Sequence, residues 1–494
     1  MKIDTITLKN FRCFDEYNIS FGTHITVLIG KNGTGKTSLL NAIKKGGSFM
    51  FTKTSPLFKK TLGASNGCMV KAFDLWDTRF DSLERVHKFP TQINYKACFN
   101  NSELDWSFLK KNHPGKLHST LYNIALNKVL EHYNTNGNEA NLPVLAYFSD
   151  SYPHILTNAG VNAKKIISAD VLPRDFGYYG WDADTNCNEL WQIRYIKCAN
   201  YITDRDNEIK RTEENIDLFN AKLGSIDTFD KDNKDDWRER LQKLEDRLYI
   251  IKNNPNVAKF TEEINFINKK IELFTAPIRD DLNFINDEFG IKSTFVNKPD
   301  KTSFFIEYLF ANGTSMFFDS LPQGYKRLLS IVLDIAYRSY ILNEAIESEG
   351  VVMIDEVELH LHPVLQQEVL VRLNKTFPNM QFIVSTHSPL VISNLNADGI
   401  ENKIIKLEND GINYTNEEVE NVYGIDYTTN LINVMDAQYR PSTIDKLINM
   451  YLILKGKKKD EDALVILSRL ENYIGGDIPF LLQKEIDDKL KAYN

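Results

Sequence analysis

The octet Gly30-Lys31-Asn32-Gly33-Thr34-Gly35-Lys36-Thr37 has the residue types and spacing of a phosphate-cradling loop, the Walker A pattern. It sits between the apolar run Ile25-Thr26-Val27-Leu28-Ile29 and a helix-like stretch over residues 38–45. The glycines let backbone N–H groups close around phosphate oxygens, and the helix start adds a positive dipole end. Lys36 has the reach to compensate the β- and γ-phosphates, and the Thr37 hydroxyl suits Mg²⁺. The other loop residues, Gly30 to Gly35, and Ser38 complete the phosphate-facing set. The octet therefore predicts a site for ATP with Mg²⁺.

The remainder of such a site is expected near residue 355. Val351-Val352-Met353-Ile354 reads as a buried strand ending in Asp355-Glu356, a Walker B pattern in which Asp355 holds Mg²⁺ and Glu356 polarises the attacking water. Two adjacent carboxylates at a strand end are costly unless a cation or water waits there. A second apolar run, Gln381-Phe382-Ile383-Val384, leads through Ser385-Thr386 to His387 and then Ser388-Pro389. A histidine by itself is most simply a satisfied structural residue. Following a Walker B strand, His387 reads as a sensor of the γ-phosphate and joins Glu356 as a catalytic candidate. His360 and His362 are closely spaced, but their place just past Walker B suits a loop better than a metal site.

Several motifs together resemble the ATP-binding-cassette type of head shared by SMC, RecF and the overcoming-lysogenization-defect ATPases. Leu8-Lys9-Asn10-Phe11-Arg12-Cys13-Phe14 is similar to their first-strand signature, which implies that Arg12 approaches the nucleotide. Phe318-Asp319-Ser320-Leu321-Pro322-Gln323-Gly324-Tyr325-Lys326-Arg327 resembles the signature motif that one head presents to the γ-phosphate held by another. Asp355 to Pro363 resembles Walker B with its dimer loop. The resemblance implies pairing of heads into a homo-oligomer. One departure stands out: Pro322 replaces the signature serine. Proline suits a first helical turn, but a trans phosphate ligand is lost, with Ser320, Gln323 and the Gly324 amide as partial stand-ins. Slow hydrolysis is the expectation.

The chain has 494 residues, 42% of them hydrophobic, which predicts two or three folded lobes. No stretch approaches the ~20 uninterrupted apolar residues of a membrane span, and the N-terminus enters a strand directly, so no membrane partner and a cytoplasmic location are expected. Cys13, Cys68, Cys98, Cys187 and Cys198 lack CxxC spacing, which argues against zinc or a disulfide scaffold. A formal net charge of −8 argues against a uniformly DNA-coating surface. Lys59-Lys60, Lys110-Lys111 and Lys455-Gly456-Lys457-Lys458-Lys459 are left as solvated lysines or local contacts to DNA.

The fold class expected is α/β: an ATP-binding-cassette-type P-loop head with a mixed central sheet and an antiparallel β layer, a short helical insertion and a C-terminal helical segment. Residues 1–184 form the first half of the head. Alternating patterns over 92–99 and 103–109 predict the antiparallel layer, a helical pattern covers 116–133, and a strand over 144–148 leads to Ser149-Asp150 at the Q-loop position. Residues 185–285 carry helical spacing interrupted at Asn253-Asn254-Pro255-Asn256, a compact helical hairpin or small bundle rather than a long coiled coil. Residues 286–408 complete the head. In the tail, 409–494, no early glutamate and later Asp-x-Asp pair of a Toprim nuclease is found. Val422-Tyr423-Gly424-Ile425-Asp426, Leu431 to Met435, Tyr439-Arg440-Pro441 and the amphipathic stretch over 463–470 are similar in order to the C-terminal segment of PtuA, the ATPase subunit of Septu and related retron defence systems. That resemblance implies an antiphage regulatory ATPase with an HNH endonuclease partner, and it extends the partners to a retron reverse transcriptase with its RNA–DNA hybrid. Two other readings stay open: a RecF- or SMC-like DNA-repair ATPase without a nuclease, and a helical cap in place of a docking tail.

Overall fold

The computed structural model describes all residues except 53–68, 114–119, 137–140, 154–158, 183–186, 226–230, 280–284, 287–288, 299–302, 345–346, 412, 421, 438–439 and 494. Lys59, Lys60, Cys68, Tyr439 and the first residues of the 116–133 pattern therefore lie outside the described residues. The chain divides into two compact units, Met1–Tyr423 and Gly424–Asn494.

The first unit is built on a six-stranded sheet, in the order Tyr414–Glu418, Asn402–Asn409, Ile25–Ile29, Met380–Ser385, Gly350–Ile354, Val144–Phe148. All neighbours are parallel except the terminal pair, Asn402–Asn409 with Tyr414–Glu418. Ile25–Ile29, Met380–Ser385, Gly350–Ile354 and Val144–Phe148 read as apolar runs because both faces of the sheet are covered there, and every residue of the four is buried. Met380–Ser385 lies between the strand that leads to the phosphate loop and the strand that leads to the carboxylates.

An antiparallel layer of Phe14–Ser20, Lys2–Phe11, Thr91–Phe99 and Ser102–Lys110 stands beside it. Asn100 and Asn101, both at positive φ, make the two-residue turn that closes its last hairpin. The two sheets are joined through the buried amide of Gln381: its Oε1 accepts from Ile3 N (2.7 Å), and its Nε2 donates to Ile3 O and Gly22 O (2.8 Å each).

The insertion consists of Cys187–Ser225, Lys231–Lys252 and Pro255–Thr275. Asn254 caps the last helix and Pro255 opens it, which is the physical origin of the break read at that point. Arg194 on the first helix and Glu263 on the last form a buried bidentate pair at 2.7 and 2.8 Å, holding the hairpin closed at its base. The helix Gln323–Asn343 is buried over nearly its whole circumference. Its charged residues are accordingly paired or bonded: Asp334 with Arg338, and Arg338 with the carbonyls of Gly177 and Tyr179 at 2.9 Å.

Among the described residues the second unit has four helices, Tyr427–Asn433, Ser442–Gly456, Asp460–Ile474 and Phe480–Tyr493. Ile448, Tyr451, Leu452, Ala463, Ile466, Leu470 and Ile486 form its own core. The main sheet runs on to Glu418, ten residues beyond the 408 boundary suggested by the sequence.

Candidate functional site

The parallel strands of the main sheet deliver their C-terminal ends to one edge, the place where open α/β sheets bind ligands. In spatial order this edge carries the phosphate loop after Ile25–Ile29, Ser385-Thr386-His387 after Met380–Ser385, Asp355-Glu356 after Gly350–Ile354 and Ser149-Asp150 after Val144–Phe148.

The loop leads into the helix Lys36–Gly47, with Gly35 as N-cap at φ 96°. Gly30 is required by crowding, since a Cβ there would stand 2.4 Å from Leu407 O. Thr34 Oγ1 donates to Lys31 O at 2.9 Å, closing the loop on itself. Lys31, Asn32, Gly33 and Thr37 are exposed, whereas Thr34 and Lys36 are buried. Lys36 Nζ donates to Gly30 O (2.7 Å) and Lys31 O (3.1 Å). Burial holds the Lys36 amine below the ordinary lysine range, opposed by the negative charges of Asp355, Glu356 and Glu358. Lysine and carboxylates therefore feel one another across the edge. Burial pushes the Cys13 thiol up, opposed by a hydrogen bond from the Ser38 side chain.

At the carboxylate end, the Ser385 hydroxyl donates to Asp355 Oδ1 and accepts from Glu356 N at 2.8 Å. Glu356 has φ +51°, a conformation disfavoured for an L residue. Arg327 holds it there. This buried guanidinium donates to Asp355 O (3.0 Å) and Glu356 O (3.3 Å), and also to the carbonyls of Ser149 (3.2 Å), Asp150 (2.8 Å) and Tyr152 (2.8 Å). It ties the signature helix to two strand ends at once. Glu358 accepts from Thr386 Oγ1 and His387 N, both at 2.7 Å, and so sets the backbone of the His387 turn while the His387 side chain stays exposed.

Arg12 sits in the turn that packs on the phosphate loop, since a Cβ on Gly35 would meet the Phe14 ring at 2.6 Å and Cys13 Sγ at 3.2 Å. Its guanidinium bonds the buried Asp77 carboxylate at 3.1–3.2 Å, and Asp77 also pairs with Lys45 of the loop helix at 2.7 Å. Ser320 and Gln323 are exposed around the start of Gln323–Asn343, with Pro322 as its N-cap, and among the described residues no hydrogen bond joins them to the phosphate loop. Gly324 faces His360 O, where a Cβ would come within 2.5 Å. Among the described residues no group of three or more His, Cys, Asp and Glu side chains gathers as a metal cluster. Arg327, Glu358, Ser385 and Asp77 carry no assigned role in the sequence reading, because their partners lie 28 to 178 residues away.

A phosphate loop, a carboxylate strand and an intervening strand with polar end residues on one parallel edge form the core of a P-loop ATPase. Residues 1–392 match the AAA ATPase domain family. The chain belongs to that family. Within this ATPase family, the chain is 26% identical to "Retron Vc95 probable ATPase" of Vibrio cholerae, over 96% of this chain and 84% of that one. It is 24% identical to "Retron Ec83 probable ATPase" of Escherichia coli, over 99% and 86%. "Septu protein PtuA" of Bacillus mycoides is 34% identical over 23% of this chain and 16% of that one. The resemblance to PtuA- and retron-type ATPases read from the motifs is thereby borne out. No helix among the described residues is long and apolar enough to cross a membrane.

Proposed function

We propose that this ATPase is the nucleotide-switched regulatory subunit of an antiphage defence complex. The observation that carries the nucleotide chemistry is the single edge that holds Lys36, Ser385, His387, Asp355 and Glu356, where the charges of Asp355, Glu356 and Glu358 act on the Lys36 amine. The backbone of Gly30 to Ser38 and the Lys36 amine would bind the triphosphate of ATP. Thr37, exposed at the helix start, and Asp355, fixed by Ser385, offer the hard oxygen donors that suit Mg²⁺. A Mg²⁺ ion held by these two residues would neutralise phosphate charge. Glu356 orients water and accepts its proton, and His387 contacts the γ-phosphate side. Arg12 lines the loop flank through its Asp77 anchor.

Two heads pair so that Ser320, Gln323 and Gly324 of one copy complete the loop of the other. Pro322, which brings no hydroxyl, keeps turnover slow. The defence role is supported by the likeness to retron ATPases along almost the whole chain. The partner is an HNH endonuclease, docked on the unit Gly424–Asn494, whose separate core lets it serve as a module.

Co-expression with the neighbouring reading frames tests this. The full chain is expected to co-purify with a nuclease, and a chain ending at Tyr423, which keeps the whole main sheet, is expected to bind ATP and lose the nuclease. Retention of the nuclease by the shortened chain would refute the docking role. Loss of ATP binding with aggregation would favour a helical cap. A replication or recombination operon and no nuclease would favour the DNA-repair reading.

A further inference from the structure

Two apolar patches on the first unit lack a partner among the described residues. One surrounds the small hairpin Phe80–Asp81 with Val86–His87, where Trp76 is 82% and Leu83 94% exposed, and Phe80 and Val86 are exposed too. This hairpin is fixed beside the phosphate loop: Thr78 bridges to Phe11, Arg79 N donates to Asn10 O at 2.9 Å, and Asp77 binds both Arg12 and Lys45. Lys88 pairs with Asp81 and Glu84 at the hairpin, whereas Arg85, exposed at its tip, has no ion pair among the described residues. The tip therefore presents a leucine and, in Arg85, a guanidinium without an ion pair among the described residues.

The other patch is the outer face of the three-stranded sheet Ile291–Asn297, Phe305–Phe310 and Ser315–Phe317. Register places Phe295 and Phe317 on either side of Glu307, with Phe305 opposite Asn297. The three phenylalanines are 40%, 38% and 36% exposed, and the rings of Phe305 and Phe317 lie 5.6 Å apart. Glu307 stands among them, bonded by Asn297 Nδ2 at 2.7 Å and without a cation among the described residues. Phe317 leads through Phe318–Ser320 directly into the start of the signature helix. An aromatic face around a carboxylate that has no cation among the described residues suits a tip that offers Leu83 and Arg85.

We infer that these patches are two halves of one contact between copies of this chain, in which the hairpin tip of one head seats Leu83 among Phe295, Phe305 and Phe317 of the second, with Arg85 against Glu307. The inference rests on the head-pairing reading: if the loop of each copy faces the signature helix of the other, patches beside those two elements meet, and two-fold symmetry repeats the contact. It adds apolar contact and a charge pair that no signature residue supplies, and it offsets the missing hydroxyl at Pro322.

The test uses the full chain carrying Glu356→Gln with Mg²⁺ and ATP, followed by sedimentation velocity across a concentration series. Arg85→Glu and Glu307→Arg are each expected to weaken dimerisation by at least about tenfold, because each change places like charges together at two symmetric contacts. Both changes in one chain should restore it to within about threefold of the parent, since every contact then pairs the reversed charges. Leu83→Glu, at a position almost fully in solvent, should weaken the dimer while leaving ATP binding unchanged. A parent that dimerises while both single reversals dimerise equally well overturns the inference and leaves head pairing standing. So does a double reversal that is weaker than either single, or singles that lose a co-purifying nuclease and keep the dimer. A parent that stays monomeric with ATP overturns head pairing and the inference together.

Discussion

Arg327 offers the sharpest separation between binding a nucleotide and hydrolysing it. Its guanidinium donates to five main-chain carbonyls, three after Val144–Phe148 and two after Gly350–Ile354. In Arg327→Lys the charge is kept, but a single ammonium has three donors at one point and cannot span both strand ends. Two or three buried carbonyls then lose their donor, at ~1–3 kcal/mol each before relaxation. Relaxation recovers part of this, so a loss of about 3 kcal/mol in stability is expected. The Glu356 backbone, held at φ +51° partly by this residue, relaxes toward an ordinary conformation and carries its carboxylate off line. A displacement of ~1 Å at a catalytic group costs about a hundredfold in rate. The phosphate loop is untouched by Arg327. The expected result is kcat lowered about a hundredfold, ATP affinity by calorimetry within about threefold of the parent, and an earlier urea midpoint. A kcat within about twofold of the parent, or affinity falling in step with kcat, would refute the positioning role.

Gly324→Ala sets a Cβ 2.5 Å from His360 O, so the helix start or the loop after Walker B must shift, and a stability loss of ~1–3 kcal/mol by chemical denaturation is expected. Equal midpoints would show that the crowding is absent. Lys36 gives a pH signature: its folded value lies below the ordinary 10.5, so the unfolded chain binds more protons there and stability rises with pH across that interval. Denaturation midpoints from pH 8 upward should show this slope in the parent and not in Lys36→Met, and saturating ATP should flatten it by raising the lysine. A parent slope unchanged in Lys36→Met would assign it to another group.

What the sequence made legible was local in the chain. The phosphate loop is eight contiguous residues between a strand and a helix, and the carboxylate strand announces itself by an apolar run that ends in two acids. The hairpin Thr91–Phe99 with Ser102–Lys110 shows alternation because one of its faces is covered. Tyr414–Glu418 escaped because it is an edge strand with no fully buried residue and therefore no apolar pattern. Arg327, Glu358 and Ser385 escaped for a different reason: they bond groups on other elements, and only the parallel sheet order brings those elements together. Arg12 was expected at the nucleotide through family resemblance. Its Asp77 anchor lies 65 residues away and leaves no mark near the motif.

The central claim is that the edge of the main sheet binds ATP and hydrolyses it through Glu356. Single-turnover hydrolysis by Glu356→Gln, measured beside equilibrium binding of Mg²⁺–ATP, tests it most directly. The carboxylate is removed while Lys36, Thr37 and Asp355 stay in place, so binding within about threefold of the parent and hydrolysis at least about a hundredfold slower are expected. Hydrolysis at the parent rate, or absence of ATP binding by the parent chain itself, would contradict the account.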